Sequence, residues 1–426
     1  HFIIVGNGVA GVTAALTIRT RLPKAEITII SGEAEYFFSR TALMYAFMDR
    51  MSLRELEPYE RKHWDQMRIK LVRGWVDDLD ADKCELRLSD GRILGYDRLL
   101  LATGSRAKRP DWPGLSSVKD GVVNFVSLQD LEESERLIQS ARETVVVGGG
   151  LIGVELVECL HHHGRKVTFL VRDPYYWPAA FSPEEGAMID KHILDRGVDL
   201  RLNQTVAGVE ADSKGRVIKV ILASGETIPC QLLGIAIGVE PAIDWLYSVK
   251  TPPRWGRGIQ VDPGFRTSLK NVFAAGDCVE LVRPDAVPLV EQIWYSAKRQ
   301  GKAAAESMLG DPVDYGPPVF FNSAMFFGIE YTTVGQVNQA SQEVHSLYWR
   351  HPDKEASIRL VEQDGAFTGA NMLGSRWDHT VLERWVKERR TIYYVAKNLR
   401  QAQFDEEFGR LDLRALPAEW RAEVYA

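Results

Sequence analysis

A strand, a G-x-G-x-x-G turn and a helix follow one another twice in this chain, and that repetition restricts the fold more than any other feature. The opening HFIIVGNGVAGVTAALTIRT joins an apolar strand to an alanine-rich helix through Gly6, Gly8 and Gly11. About 140 residues later, TVVVGGGLIGVELVECLHHHGRKVTFLVR repeats the arrangement with Gly148, Gly150 and Gly153. In each copy the first glycine permits a tight turn, the second lets a pyrophosphate approach the backbone, and the third lets the helix close on the strand. The helix N-terminus then faces the diphosphate. One such motif is a weak sign. Two, each followed by a returning apolar strand (AEITIIS and residues 167–171), predict an α/β chain with two Rossmann-like dinucleotide-binding domains.

Two more strand ends carry ligand chemistry. YDRLLLATGS closes on the small-residue turn Ala102, Thr103, Gly104, and TSLKNVFAAGDC closes on Gly276 and Asp277. An aspartate at such an end can accept hydrogen bonds from ligand hydroxyls, and the glycine before it lets the ligand come near. The set GNGVAG, LLLATGS, VVVGGGLIGVE and NVFAAGD, in this order and spacing, resembles the pyridine nucleotide-disulfide oxidoreductase superfamily over roughly residues 1–330. The resemblance implies that the first site holds FAD, with Asp277 on its ribityl chain, and that the second takes NADPH or NADH. It further implies a discontinuous FAD domain (1–115 and 247–318), a nicotinamide domain (116–246), and a C-terminal α+β interface domain (319–426) that supports a homodimer and ends in an extended tail. Residues 288–303, PLVEQIWYSAKRQGKA, are expected to form the helix that starts beneath the flavin ring.

The same comparison exposes something missing. Disulfide-using members carry a cysteine pair after the first βαβ unit, and related peroxidases and oxidases carry one reactive cysteine. Here that stretch is YFFSRTALMY, residues 36–45, with no thiol, and the hydroxyl of Ser39 is no reversible two-electron centre. The four cysteines, Cys84, Cys159, Cys230 and Cys278, are far apart in sequence and read as plain buried residues of a chain kept in a reducing compartment. The stretch is similar instead to the Y-x-R-x-x-L-S segment of rubredoxin, ferredoxin and nitrite reductase flavoproteins. Arg40 and Leu43 fit it, Met44 replaces its serine, and Tyr45 stands where many members place a lysine.

By that likeness Arg40 contacts the FAD pyrophosphate or supports the flavin loop; a surface salt bridge is the alternative. Glu33, two residues past Ser31, is the candidate for the FAD adenosine ribose, with Glu35 as its alternative. Glu155, two residues past Gly153, corresponds to a glutamate near the nicotinamide, although first-turn charge preference also explains an acid there. In KVTFLVRDPYYW, Val171 takes the place of the usual ribose-binding acid and Arg172 follows. An arginine there leans towards the 2′-phosphate of NADPH, with NADH left open.

The expected function is therefore an FAD-dependent NAD(P)H reductase. Hydride passes from nicotinamide to flavin without a catalytic side chain, and electrons leave for an external acceptor such as a small rubredoxin- or ferredoxin-like protein. An oxidase or quinone reductase, and an FAD-binding scaffold with little turnover, are the alternatives. A formal net charge of −6 argues against a nucleic-acid binder. No run of 18 or more apolar residues predicts a membrane span, and the chain opens directly on a strand, so a cytoplasmic protein is expected. The three histidines at 161–163 would point about 100° apart on a helix and cannot converge on one ion, so no metal site is expected. Replacing Cys84, Cys159, Cys230 and Cys278 together by serine is expected to leave flavin reduction by NAD(P)H intact. Stopped-flow absorbance of a folded, FAD-bound variant checks this; loss of reduction would defeat a thiol-free route.

Overall fold

The computed structural model describes residues 1–338, 344–404 and 411–421. They gather into two compact units, one of His1–Asp111, Asp120–Ala141 and Gly234–Gly316, the other of Trp112–Lys119, Arg142–Leu233 and Pro317–Ala426.

In the first unit five parallel strands lie in the order Val272–Ala274, Arg98–Leu101, Phe2–Val5, Ile27–Ser31, Ile69–Arg73. Ile3, Ile4, Leu99, Leu100 and Leu101 have no exposed surface. Neighbours along one strand point to opposite faces, so both faces of the sheet are covered. This is why these strands read as unbroken apolar runs and not as alternating patterns. The strand Val272–Ala274 pairs with Arg98–Leu101 although the two are far apart in sequence, so the sheet is assembled from a split segment. Helix Val9–Arg21 follows the first strand and packs on helix Trp294–Met308. The expected 288–303 helix begins late: Leu289 exchanges both backbone bonds with Leu281, at 2.8 and 2.9 Å, and holds the preceding segment extended.

The second unit contains its own parallel strands, Asp199–Arg201, Lys166–Leu170 and Glu143–Val147, with helix Leu151–His162 following the last. Helix Pro183–Asp195 opens on a capping box of Ser182 and Glu185 with Pro183 in its first turn, which satisfies amides the helix cannot. From Pro317 the chain builds an antiparallel sheet in the order Phe321–Phe326, Ile329–Gly335, Ala366–Leu373, Ser357–Gln363, His345–Arg350. Its two-residue turns, Phe327-Gly328 and Asp364-Gly365, have positive φ at both positions (+47° and +82°, +51° and +69°), the twist that suits hairpins. The helical stretch after Asp378 divides into His379–Lys387 and Ile392–Asn398, because Arg389 turns left-handed (φ +52°) and Thr391 caps the second helix. Of the expected tail, residues 405–410 and 422–426 lie outside the described residues. Among the described residues no helix is long and apolar enough to cross a membrane.

The crossing of Val9–Arg21 and Trp294–Met308 depends on Gly301, whose added Cβ would stand 2.2 Å from the Ala10 carbonyl oxygen. Gly301→Ala is expected to lower stability by about 1–3 kcal/mol, visible as a lower urea midpoint.

Candidate dinucleotide-binding sites

Each fingerprint turn is shaped by backbone contact. Gly6 has φ +110°, and a Cβ there would lie 2.1 Å from the Ala102 carbonyl oxygen. A Cβ on Gly11 would lie 2.1 Å from the Gly6 oxygen, so the helix rests directly on the turn. Gly8 is different: nothing stands within 4 Å of its would-be Cβ, and its helix has no side-chain cap and no acid in the first turn. The second turn repeats this. Gly148 has φ +123°, Gly153 would place a Cβ 1.9 Å from the Gly148 oxygen, and Gly150 faces open space. Helix Leu151–His162 likewise lacks a side-chain cap and a first-turn acid. Both helix ends leave unpartnered amides beside an opening, an arrangement that receives phosphate.

Around the first turn the structure gathers the sequence candidates of the first unit. Ala102 donates its amide to Val5 (2.8 Å), Thr103 Oγ1 donates to the Ala242 carbonyl (3.0 Å), and Gly104 turns left-handed (φ +73°). Gly276, also left-handed (φ +88°), donates its amide to Gln300 Oε1 at 2.9 Å. Asp277 accepts from Ser105 Oγ at 2.9 Å. Burial pushes its carboxyl upward, while the Ser105 bond and the Arg40 charge hold part of that rise back.

Arg40 and Glu33 are joined to each other. The guanidinium makes paired bonds to the carboxylate, Nη1 to Oε1 at 2.8 Å and Nη2 to Oε2 at 2.5 Å, and Nη1 also donates to the Val126 carbonyl at 2.5 Å. Glu33 accepts in addition from the Leu128 amide at 3.0 Å, at the start of helix Leu128–Ile138. Burial works against its ionisation, but the Arg40 and Leu128 bonds outweigh burial and hold its carboxyl below the ordinary glutamate range. Arg40 keeps 41% of its side chain accessible, so the bidentate pair leaves it surface for a further anion. Glu35 is exposed. Two residues that sequence reasoning missed belong here: Ser105, and Asn7, whose Nδ2 braces the Ala34 carbonyl at 2.9 Å. Asn7 sits between the fingerprint glycines, which was its only signal.

In the second unit Glu155 lies beyond the first turn of helix Leu151–His162, so first-turn charge preference does not account for it. It is half-buried, its carboxyl pushed up to about 8 by burial and by Glu158 one turn on. Arg172 is 83% exposed, 3.7 Å from Asp173. No two of the four cysteines form a disulfide. Burial pushes the Cys230 thiol up to about 12 and raises Cys278 as well, which suppresses their thiolates. Among the described residues no group of three or more His, Cys, Asp or Glu could hold a metal ion.

The fold and these openings define a protein built around two dinucleotides. Residues 1–301 match the pyridine nucleotide-disulphide oxidoreductase family, and the chain belongs to it. It is 29% identical over 353 residues to the 5,5'-dehydrodivanillate O-demethylase ferredoxin reductase subunit of Sphingobium sp., covering 79% of this chain and 82% of that protein. It is 27% identical over 394 residues to the ferredoxin–NAD(+) reductase component of the p-cumate 2,3-dioxygenase system of Pseudomonas putida, covering 92% and 94%. A covalent putidaredoxin reductase–putidaredoxin complex shares the fold, with a TM-score of 0.82, 21% identity and 99% of each chain covered.

The family binds FAD and takes its reducing equivalents from NAD(P)H. The first unit fits a flavin nucleotide: besides the open space at Gly8 and Gly104, buried Glu291 Oε2 and Gln292 Nε2 have no partner just ahead of helix Trp294–Met308.

A pH test follows from Glu33. Its depressed carboxyl contributes stability that is present above the ordinary glutamate pKa, about 4.3, and is lost as pH falls through the folded-state value. Arg40→Met is expected to cost about 1–3 kcal/mol at pH 7, a deficit that shrinks as pH falls below about 4. Urea unfolding of both proteins across this range measures it.

Proposed function

We propose that this oxidoreductase is an NAD(P)H-dependent flavin reductase that delivers electrons to a small iron–sulfur protein of the ferredoxin or rubredoxin class. One observation carries the reading: both dinucleotide turns are intact, while residues 36–45 contain no thiol to relay electrons within the chain. The relatives named as ferredoxin reductases, covered along most of their length, support the same class of acceptor.

FAD, when bound, supplies the two-electron acceptance and the release of electrons to the acceptor. In this reading FAD occupies the 1–115 and 247–318 segments, with its diphosphate on the amides after Gly6, Gly8 and Gly11 and near Arg40. Asp277 accepts hydrogen bonds from ligand hydroxyls, with Ser105 holding the carboxylate in place. Glu33 fixes the Arg40 guanidinium and keeps one edge of its carboxylate for the adenosine ribose. Ala102, Thr103 and Gly104 form the floor against which the first turn closes. Segment 116–246 takes the coenzyme on Gly148, Gly150 and Gly153, and Glu155, held largely protonated at neutral pH, can donate a hydrogen bond to the nicotinamide amide. A homodimer formed through 319–426 and a cytoplasmic location complete the proposal.

Arg172 has a weak intramolecular partner and an exposed guanidinium, which favours NADPH through its 2′-phosphate. Stopped-flow flavin reduction with NADPH and NADH, before and after Arg172→Ala, tests both points. The expected result is a loss of about tenfold or more in affinity for NADPH alone. A strong NADH preference that R172A leaves unchanged would reverse the coenzyme assignment. Absence of flavin reduction by either coenzyme would end the reductase reading, and fast reduction without turnover on any iron–sulfur acceptor would leave oxygen or a quinone as the oxidant.

A further inference from the structure

The second unit contains a buried polar cluster that the nucleotide-binding roles do not use. Its centre is the loop 173–181, which runs from Val171 and Arg172 at the strand end to helix Pro183–Asp195. One side of the loop rests on the second glycine turn. Tyr176, fully buried, donates its hydroxyl to the Gly150 carbonyl at 3.3 Å and its amide to Asp190 at 3.0 Å. Just before the loop, Val171 lies where a Cβ on Gly149 would come within 2.8 Å.

The other side is held by the C-terminal sheet. Asn338 Nδ2 donates to the carbonyls of Pro178 (2.8 Å) and Phe181 (3.3 Å), and Asn371 Nδ2 to that of Ala180 (2.6 Å). Arg359 reaches the same Ala180 oxygen at 3.4 Å, Asn338 Oδ1 at 2.9 Å and the Val337 carbonyl at 3.1 Å. Its Nε lies 2.8 Å from Glu185 Oε2, an ion pair by distance although not an aligned hydrogen bond. Arg359 is 4% exposed and Glu185 not at all. The rings of Trp177 and Phe181 meet Tyr331 edge-on at 5.8 and 5.2 Å. The sheet also grips the fingerprint helix, where Glu158 Oε2 accepts the Phe327 amide at 2.6 Å.

Two features show that this clasp imposes a shape. Trp177 has φ +53°, a left-handed conformation that a bulky residue keeps only where its surroundings over-determine it. A buried ion pair, moreover, is seldom more stabilising than apolar groups of the same volume, so stability alone is a poor reason for one here. The loop it holds begins at the position that discriminates between the two nicotinamide coenzymes.

We infer that Arg359, Asn338 and Asn371 are positioning residues for the coenzyme loop, so that the C-terminal sheet sets how tightly NADP+ and NAD+ bind and in what ratio. The inference rests on the reading of the second turn as the nicotinamide site. The test uses FAD-loaded full-length protein: wild type, Asn338→Ala, the double variant Glu185→Gln/Arg359→Met, and Ile358→Val as a control in the same strand whose side chain is buried elsewhere. Amide hydrogen exchange reports the loop, and calorimetric titration reports the dissociation constants of NADP+ and NAD+. Asn338 is exposed, so its variant is expected to fold even where the double variant does not. The expected result for Asn338→Ala is faster exchange confined to 173–181, about fivefold or greater weakening of the preferred nucleotide, and an altered NADP+ to NAD+ ratio. Ile358→Val is expected to change none of these. Unchanged loop exchange in Asn338→Ala would overturn the clasp, and faster exchange with unchanged dissociation constants would overturn its link to the coenzyme. Wild-type protein that binds neither nucleotide would defeat the reductase reading itself, and the exchange measurement, which needs no nucleotide, separates that failure from the others.

Discussion

Backbone pressed on backbone at Gly6–Gly11 and Gly148–Gly153 sets the position of everything else in this chain. A Cβ on the third glycine of either turn would stand about 2 Å from a carbonyl oxygen, so any larger residue would push the helix off its strand. With glycine present the helix N-terminus comes down on the strand end, beside the open space at Gly8 or Gly150. Side chains are then arranged around a site they do not create. This accounts for two helices that open with neither a side-chain cap nor a first-turn acid, although both are ordinarily favourable.

Charge is distributed accordingly. Around the first turn Arg40 is held between a carboxylate and a carbonyl, so its cation is fixed in place while part of its surface remains open. Around the second, the acid nearest the turn is kept largely uncharged at neutral pH by burial and a neighbouring glutamate. Each turn thus has its own electrostatic setting, a fixed cation beside the first and an acid with a raised carboxyl pKa beside the second. Burial raises the thiol pKa values of Cys230 and Cys278, so these two side chains are held as thiols.

Most of the architecture was legible because it is written locally. Strand, glycine turn and helix occupy some twenty consecutive residues, and the apolar runs ending in ATG and AAGD announce fully buried parallel strands without reference to anything distant. The turn at Asp364-Gly365 was equally plain. What escaped was whatever depends on partners far along the chain. Nothing in YFFSRTALMY shows that Arg40 closes on Glu33 or that Glu33 also meets the start of helix Leu128–Ile138, because that pairing exists only after three segments have come together. Arg359 in SIRLVEQ occupies a strand position where an arginine ordinarily signals solvent, yet its partner Glu185 lies on a helix of another part of the unit. The split of the helical stretch after Asp378 was hidden for a different reason: a left-handed arginine at 389 has no compositional signature.

The split first sheet has a consequence for how the polypeptide is made. Strand Arg98–Leu101 and its apolar neighbours leave the ribosome long before Val272–Ala274, which must cover their outer edge. At ordinary translation speeds the delay is on the order of ten to thirty seconds, far longer than local collapse requires. During that interval a leucine-rich strand has an unpaired border, the kind of surface that recruits wrong partners. The strands Glu143–Val147, Lys166–Leu170 and Asp199–Arg201 emerge in the meantime, but the rest of their unit, from Pro317 on, is still to come, so the nascent chain carries two unfinished units. Closure of the first sheet, and with it the placing of Asp277 beside Ser105, therefore waits until well over half of the chain has been made.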